Sequence, residues 1–173
     1  LLAVHGLNVD AADEDFLIVP NLVAGNIQGN EQYFTVPTPG GPNSSGFLVL
    51  NEIHYDPEDK TESSEFIELH NSGTEEVDLG GWFFSDGIEF TIPAGTTLAP
   101  GGVLVIAQDP VSLTAIYGVA ALGPWAGGLS NEGETVALRD SAGALVDEVS
   151  YKASFPWPVG ALGSGRSMEL INP

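Results

Sequence analysis

The sequence predicts an all-β fold, a sandwich or a barrel of seven or eight short strands, with one short helix. Glycine (22) and proline (12) recur along the 173 residues and divide the chain into short apolar segments. Several segments alternate apolar and polar residues with a period of two, which is typical of half-buried strands. Turn sequences such as Asn71-Ser72-Gly73 and Pro100-Gly101-Gly102 separate them. Many short strands between frequent turns are typical of sandwiches and barrels.

The predicted strands all lie beyond residue 46. They fall near residues 47–55, 65–71, 77–85, 88–92, 103–107, 134–139, 145–150 and 167–171. Two tight hairpins are predicted, at Ser85-Asp86-Gly87 and at Asp140-Ser141-Ala142-Gly143. Glycine and aspartate favour such turns because glycine tolerates a positive φ and the aspartate side chain bonds to nearby backbone.

The helix is predicted between the strands at 103–107 and 134–139. Asp109 is suited to cap its N-terminus, Pro110 fits the first helical position, and Gly118 suits its C-terminal end. This short helix is expected to cover one end of the strand assembly.

The charge balance excludes several classes of partner. Four lysines and arginines stand against 24 aspartates and glutamates, a formal net charge of −20. Nucleic acids and anionic membrane surfaces are polyanionic, so the chain is predicted to bind neither. Its apolar runs are far shorter than the roughly 20 residues of a membrane-spanning helix, so no membrane insertion is expected. The absence of cysteine excludes thiolate metal sites, thiol nucleophiles and disulfides.

The first 46 residues differ in composition from the rest. Pro37, Pro39 and Pro42 lack backbone donors and, with nearby glycines and serines, indicate a linker. Residues 1–46 are therefore predicted to be an N-terminal extension with a Pro/Gly linker, and residues 47–173 the β-domain. The extension has too few apolar residues for a core of its own. We expect it to pack on the β-domain or to be the end of an upstream domain.

An ordered series of motifs runs from residue 47 to residue 173. It includes Leu50-Asn51-Glu52-Ile53, Glu65-Phe66-Ile67-Glu68-Leu69-His70-Asn71, Val77-Asp78-Leu79-Gly80-Gly81-Trp82, Leu129-Ser130-Asn131-Glu132-Gly133-Glu134 and Pro156-Trp157-Pro158. This series resembles the bacterial form of the lamin tail domain family. The resemblance implies an immunoglobulin-like β-sandwich of seven to nine strands without catalytic residues of its own. It also implies a non-catalytic accessory module in a larger, multidomain, exported bacterial protein, extracellular or on the cell surface, with a role in spacing, adhesion, or recognition of a protein or glycan.

The second motif concentrates groups that are able to do chemistry. Alternation places Ile67 and Leu69 on one strand face, predicted to be core, and Glu68 and His70 on the other. If the strand at 47–55 is its neighbour, the polar face gains two further residues, Glu52 and His54, which alternation groups with Leu48 and Leu50.

Two interpretations of this polar face remain open at this point. One is an ordinary strand face in water. The other is a metal-dependent hydrolase, or a metal-regulated accessory domain, that uses Glu52, Glu68 and His70, since carboxylate and imidazole suit Zn²⁺ or proton transfer. No Gly-x-Ser-x-Gly nucleophile motif accompanies them.

Two acidic segments supply hard oxygen ligands of the kind that Ca²⁺ prefers. Neither has the spacing of an EF-hand loop, and solvated acidic loops are the alternative interpretation. No cofactor is expected, and a structural Ca²⁺ is the most reasonable metal hypothesis. The candidate ligands are Asp10, Asp13, Asp15, Asp56, Glu58 and Asp59.

Three tryptophans and two arginines complete the candidate residues. Trp82 shares strand parity with apolar neighbours and is predicted to be core. Trp125 and Trp157 lie in Gly/Pro-rich segments, where they either cover the end of the sandwich or contact a protein or glycan. Arg139 and Arg166 are predicted to form structural ion pairs with strand carboxylates such as Glu68 or Glu169, or alternatively to anchor a ligand carboxylate.

Overall fold

The computed structural model describes residues 48–58, 63–154, 157, 161, 163 and 165–170. The predicted N-terminal extension and linker, and the boundary near residue 46, lie outside the described residues. So do four of the candidate calcium ligands, namely Asp10, Asp13, Asp15 and Asp59.

The described residues form nine strands and one helix, which confirms the predicted all-β fold with a single short helix. In chain order they are β1 (Leu48–His54), β2 (Phe66–Asn71), β3 (Val77–Asp78), β4 (Phe83–Asp86), β5 (Thr97–Leu98), β6 (Val103–Ala107), α1 (Pro110–Tyr117), β7 (Thr135–Arg139), β8 (Leu145–Ser150) and β9 (Met168–Glu169).

The strands form three antiparallel sheets. The largest has four strands in the order β6-β2-β1-β9, the second has three in the order β4-β7-β8, and β3 pairs with β5. The main core contains side chains from both larger sheets. Among those that are at most 2 % exposed are Leu50, Ile67 and Leu69 from the four-stranded sheet, and Leu138 and Val146 from the three-stranded sheet. Burial of one such side chain contributes about 1.5–3 kcal/mol.

A buried carboxylate joins the two larger sheets. Asp147 of β8 is 2 % exposed, and its Oδ2 accepts the backbone N–H of Leu50 on β1 at 2.8 Å. Its Oδ1 accepts the backbone N–H of Glu148 at 2.9 Å. Burial raises the pKa of Asp147, while the two hydrogen bonds act in the opposite direction.

The predicted strand at 77–85 is interrupted in the structure. Gly81 has a φ of 81°, which glycine adopts readily, and the Trp82 N–H donates to the Leu79 carbonyl at 3.0 Å. The chain therefore turns between β3 and β4. The predicted strand at 88–92 forms only isolated bridges, among them Phe83 with Thr91, and β5 was not predicted.

Helix α1 has the predicted bounds and caps. Asp109 Oδ1 accepts the backbone N–H of Val111 at 2.9 Å, and Gly118 adopts the left-handed conformation. The prediction that the helix covers one end of the sandwich is wrong. Leu113 instead packs against Val105 and Ala107 of β6 in a second apolar cluster. No helix in the described part of the chain is long and apolar enough to cross a membrane.

Candidate functional site

A cleft of about 250 Å³ lies between α1 and the outer face of the four-stranded sheet. Glu52 of β1 and Glu68 of β2 form its floor, and its walls come from neighbouring side chains of β1, β2 and β6, from α1 and from the segment that leads into β9. The lining residues are Glu52, His54, Phe66, Glu68, Val105, Leu113, Tyr117, Val119, Gly165 and Ser167.

A β-bulge in β1 turns Glu52 toward this cleft. The pairing register with β2 shifts between Leu50 and Glu52, so one extra residue, Asn51, is inserted there. Leu50 and Ile53 both belong to the main core, although they are three positions apart. The predicted grouping of Glu52 and His54 with Leu48 and Leu50 is therefore wrong, because strict alternation does not hold across a bulge.

Three carboxylates lie in one row across the outer face of the sheet. Glu52 is the pairing partner of Glu68 on β2 and of Glu169 on β9. Directly opposite residues on neighbouring strands project from the same face, and like charges in this arrangement are destabilising. Val105 continues the row beyond Glu68.

Each of the two cleft carboxylates accepts one hydrogen bond from the protein. Glu68 Oε1 accepts from Asn51 Nδ2 at 2.8 Å, and Glu52 Oε1 accepts from the Ser167 hydroxyl. Burial raises the pKa of Glu52; the charges of Glu68 and Glu169 raise it further, and the Ser167 hydrogen bond offsets part of the increase.

Aromatic rings form the wall of the cleft beside these carboxylates. The Phe66 ring lies 5.1 Å from the His54 ring and 6.3 Å from the Tyr117 ring, measured between centroids. His54 is 1 % exposed, and its Nδ1 lies 3.2 Å from the Ser64 carbonyl oxygen. Tyr117 and Val119, by contrast, are 47 % and 42 % exposed and give the cleft an apolar rim.

The structure brings together only part of the predicted polar face. Glu52, Glu68 and His54 meet in the cleft, whereas His70 lies beyond it, opposite Val49 and Val103. Among the residues that the structure describes, no three histidines or carboxylates are placed to hold a metal ion. The metal-dependent hydrolase hypothesis therefore gains no support.

The described calcium candidates serve different purposes. Asp56 is buried, and its Oδ2 accepts the backbone N–H of Gly163. Glu58 is exposed to solvent. The pairing of Asp56 with a backbone donor is a structural bond between two distant segments of the chain.

The three tryptophans all contribute to packing. Trp82 and Trp125 are 8 % and 5 % exposed within the main core, and Trp157 is half-buried against it. A glycan platform requires an exposed ring face, which Trp125 does not offer. The Trp125 Nε1 is also buried, with no hydrogen-bond partner among the described residues.

The two candidate arginines differ in their surroundings. Arg139 Nε donates to Ser85 Oγ and its Nη1 to the Gly143 carbonyl, both at 3.0 Å. These two bonds join strand β4 to the turn between β7 and β8, so the guanidinium bonds to neutral oxygens where a carboxylate is predicted. Arg166 is exposed to solvent, next to Ser167 of the cleft.

Several residues of the cleft are not among the candidates that the sequence predicts: Tyr117, Val119 and Ser167. Phe66, which alternates with Glu68 on the outward face of β2, is only a weak signal for this cleft, because single apolar residues on outward faces are common.

Fold and cleft together define an immunoglobulin-like sandwich with a cleft on one face. The family model of the Lamin Tail Domain matches residues 42–153, and the chain belongs to this family. The family consists of immunoglobulin-like, non-enzymatic domains, which indicates that the chain is a non-catalytic module. A search of curated proteins gave no match.

Proposed function

We propose that this chain is a non-catalytic recognition module of a larger exported bacterial protein. It acts outside the cell or at the cell surface, where it holds its parent against a protein partner. Membership of a family of immunoglobulin-like domains supports a binding role, and the motif resemblance to bacterial members supports the setting. The sandwich supplies a rigid support, and the cleft on its outer face supplies the specificity.

The observation that carries this proposal is the cleft itself. It combines an acidic floor, Glu52 and Glu68, with an apolar rim, Tyr117 and Val119. Ile116, at 45 % exposed, extends the apolar surface along the helix. Exposed apolar side chains around a concave polar site are typical of sites that receive a side chain from another protein.

A protein partner is favoured over a glycan by the aromatic side chains. Glycan recognition commonly uses an exposed aromatic face, and the described tryptophans are buried or half-buried in the core. The exposed aromatic ring beside the cleft is that of Tyr117, which stands edge-on to Phe66, with 69° between the ring planes. An apolar rim of this kind suits the side chains of a peptide segment better than the hydroxyls of a sugar.

Selection of a random peptide library on the full 173-residue chain tests this proposal. We expect the recovered peptides to lose binding to Tyr117→Ala and to retain it with Val111→Ala. Val111 is the matched control because it is on the same helix, is 78 % exposed and does not line the cleft. Peptides that bind both variants equally well would contradict the proposed site. Glycan-array binding that depends on Tyr117 would contradict the choice of a protein partner.

A further inference from the structure

We propose that the cleft binds the cationic side chain of an arginine or lysine of the partner, held between Glu52 and Glu68. This inference rests on the proposed function, because it names the chemistry that the recognition module selects. Three features of the cleft carry it: the unbalanced charges of its floor, the oxygens of its carboxylates, and the apolar character of its walls.

The first feature is the concentration of like charge. Glu52 faces Glu68 on one side and Glu169 on the other, and none of the three forms a salt bridge with a lysine or arginine in the described part of the chain. Such a row costs folding free energy. A cation from another molecule would offset the repulsion among the carboxylates, and this favours the bound state.

The second feature is the state of the two cleft carboxylates. Each uses one oxygen, Oε1, to accept a hydrogen bond from a neutral donor of the protein, Asn51 for Glu68 and Ser167 for Glu52. These bonds restrict both side chains to one orientation. The second oxygens of two adjacent carboxylates can then accept from one guanidinium or ammonium group, whose several donors suit two acceptors at once.

The third feature is the wall that a cation must pass. Leu113, Val105 and Phe66 line the cleft with apolar surface. The methylene stems of arginine and lysine pack on such surface while their charged heads reach polar groups. The faces of the Phe66 and Tyr117 rings also attract cations. A volume of about 250 Å³ accommodates a single long side chain but not a folded surface.

The general acidity of the chain does not account for this site. A net charge of −20 attracts cations to the whole surface, but exposed carboxylates are screened by salt and bind weakly. Glu52 and Glu68 differ because they are partly buried beside apolar side chains, where screening is weaker.

The test uses a short peptide that is blocked at both ends and carries one arginine between leucines, so that the guanidinium is its one charge. Citrulline, which is neutral and nearly isosteric with arginine, replaces it in the control peptide. We expect binding of the arginine peptide, and of a lysine version, to the full chain by calorimetry or nuclear magnetic resonance. Replacement by citrulline should weaken the affinity at least about 10-fold, because a hydrogen bond to a charged group is lost.

Variants of the protein locate the interaction. Glu52→Gln and Glu68→Gln each preserve the shape of the side chain and should weaken binding of the arginine peptide about 10-fold or more. Glu89→Gln is the matched control, since Glu89 is exposed, lies outside the cleft and carries the same charge. It should change the affinity less than about twofold, as expected for an exposed charge. If one cleft variant fails to fold, the other tests the same claim.

The outcomes separate this inference from the proposed function. Equal binding of arginine and citrulline peptides, or equal losses in Glu52→Gln and Glu89→Gln, would overturn the inference. Library peptides that depend on Tyr117 but contain no arginine or lysine would also overturn it and leave the recognition module standing. Library peptides that ignore the cleft altogether would overturn the proposed function.

Discussion

Glu52 and Glu68 stand directly opposite each other on adjacent antiparallel strands, and both border the same cleft. Neighbouring strands usually pair opposite charges or apolar groups at such positions, because like charges repel at this distance. A sandwich that needed only stability would not benefit from this pair. We interpret the pair as a binding feature whose cost the rest of the fold offsets.

The first prediction concerns the stability of the free domain. Glu68→Gln should increase the free energy of unfolding by about 0.2–1 kcal/mol, because it removes one like-charge contact and keeps an oxygen that accepts from Asn51. Urea unfolding of the two proteins at neutral pH and low salt measures the difference. Glu89→Gln serves as the control for the loss of one charge, and an equal gain in that variant would show that net charge alone is responsible.

The second prediction concerns pH. Burial raises the pKa of Glu52 above 4.5 in the folded state, so the folded protein binds more protons than the unfolded chain between 4.5 and the raised value. Wild-type stability should therefore fall relative to Glu52→Gln as pH rises through this window, and the difference should be constant above it. The groups that face Glu52 are the same in the wild type and in the variant. They are Glu68, Glu169, His54 and Ser167.

Unfolding midpoints of wild type and Glu52→Gln, measured from about pH 4 to pH 8, give this difference. Comparison within the pair removes most of the effect of the overall charge of the chain, which changes equally in both. A difference that is flat across the range, or that favours the wild type at higher pH, would contradict the assignment of Glu52 to a partly buried, acidic site.

The third prediction concerns the bond between the two sheets. Asp147→Ala should destabilise the domain by about 1–3 kcal/mol, because the buried Leu50 N–H loses its acceptor. Asp147→Asn is the comparison variant: its one side-chain oxygen still accepts the Leu50 N–H, while its amide nitrogen replaces the oxygen that accepts from Glu148, so it should lose less stability than the alanine variant. Chemical unfolding compares the three proteins. Equal losses in both variants would contradict the importance of the Leu50 hydrogen bond for the link between the sheets.

The fourth prediction concerns the end of helix α1, which forms one wall of the cleft. Gly118 has a φ of 70° and no atom within 4 Å of an added Cβ, so Gly118→Ala costs only the left-handed backbone conformation, about 1 kcal/mol. Gly118→Asn should cost less, because asparagine tolerates this conformation. Thermal unfolding measures both. Equal stability of the alanine variant and wild type would show that the left-handed cap is not required.

The sequence predicted the parts of the fold that depend on local pattern. Alternation in β2 indicated that Ile67 and Leu69 share one face, and both are fully buried. Asp109 and Gly118 indicated the bounds of the helix. Aspartate accepts hydrogen bonds from the free N–H groups at a helix N-terminus, and glycine adopts the left-handed conformation at its C-terminal end. The ordered motifs indicate the family whose model matches residues 42–153.

The parts that depend on tertiary structure were not predictable in the same way. The bulge at Asn51 puts Glu52 and His54 on the face of β1 opposite to the one that strict alternation from Leu50 predicts, and no residue type in this stretch indicates a bulge. The cleft joins Phe66 to Tyr117 and Ser167, which are far apart in the chain and meet only after the helix packs on the sheet. Arg139 bonds to Ser85 and Gly143 because β4 and β8 both pair with β7, which places both residues next to its side chain.

The most direct test of the binding site is the pKa of Glu52, measured by carbon-13 nuclear magnetic resonance of its carboxyl group in the full chain. The pH titration is repeated with a saturating concentration of the arginine peptide, and again with the same concentration of the citrulline peptide. A cation between Glu52 and Glu68 favours the ionised carboxylate, so we expect a lower pKa of Glu52 with the arginine peptide than with the citrulline peptide. If the arginine peptide binds the chain and leaves this pKa unchanged, the cation does not lie between the two carboxylates.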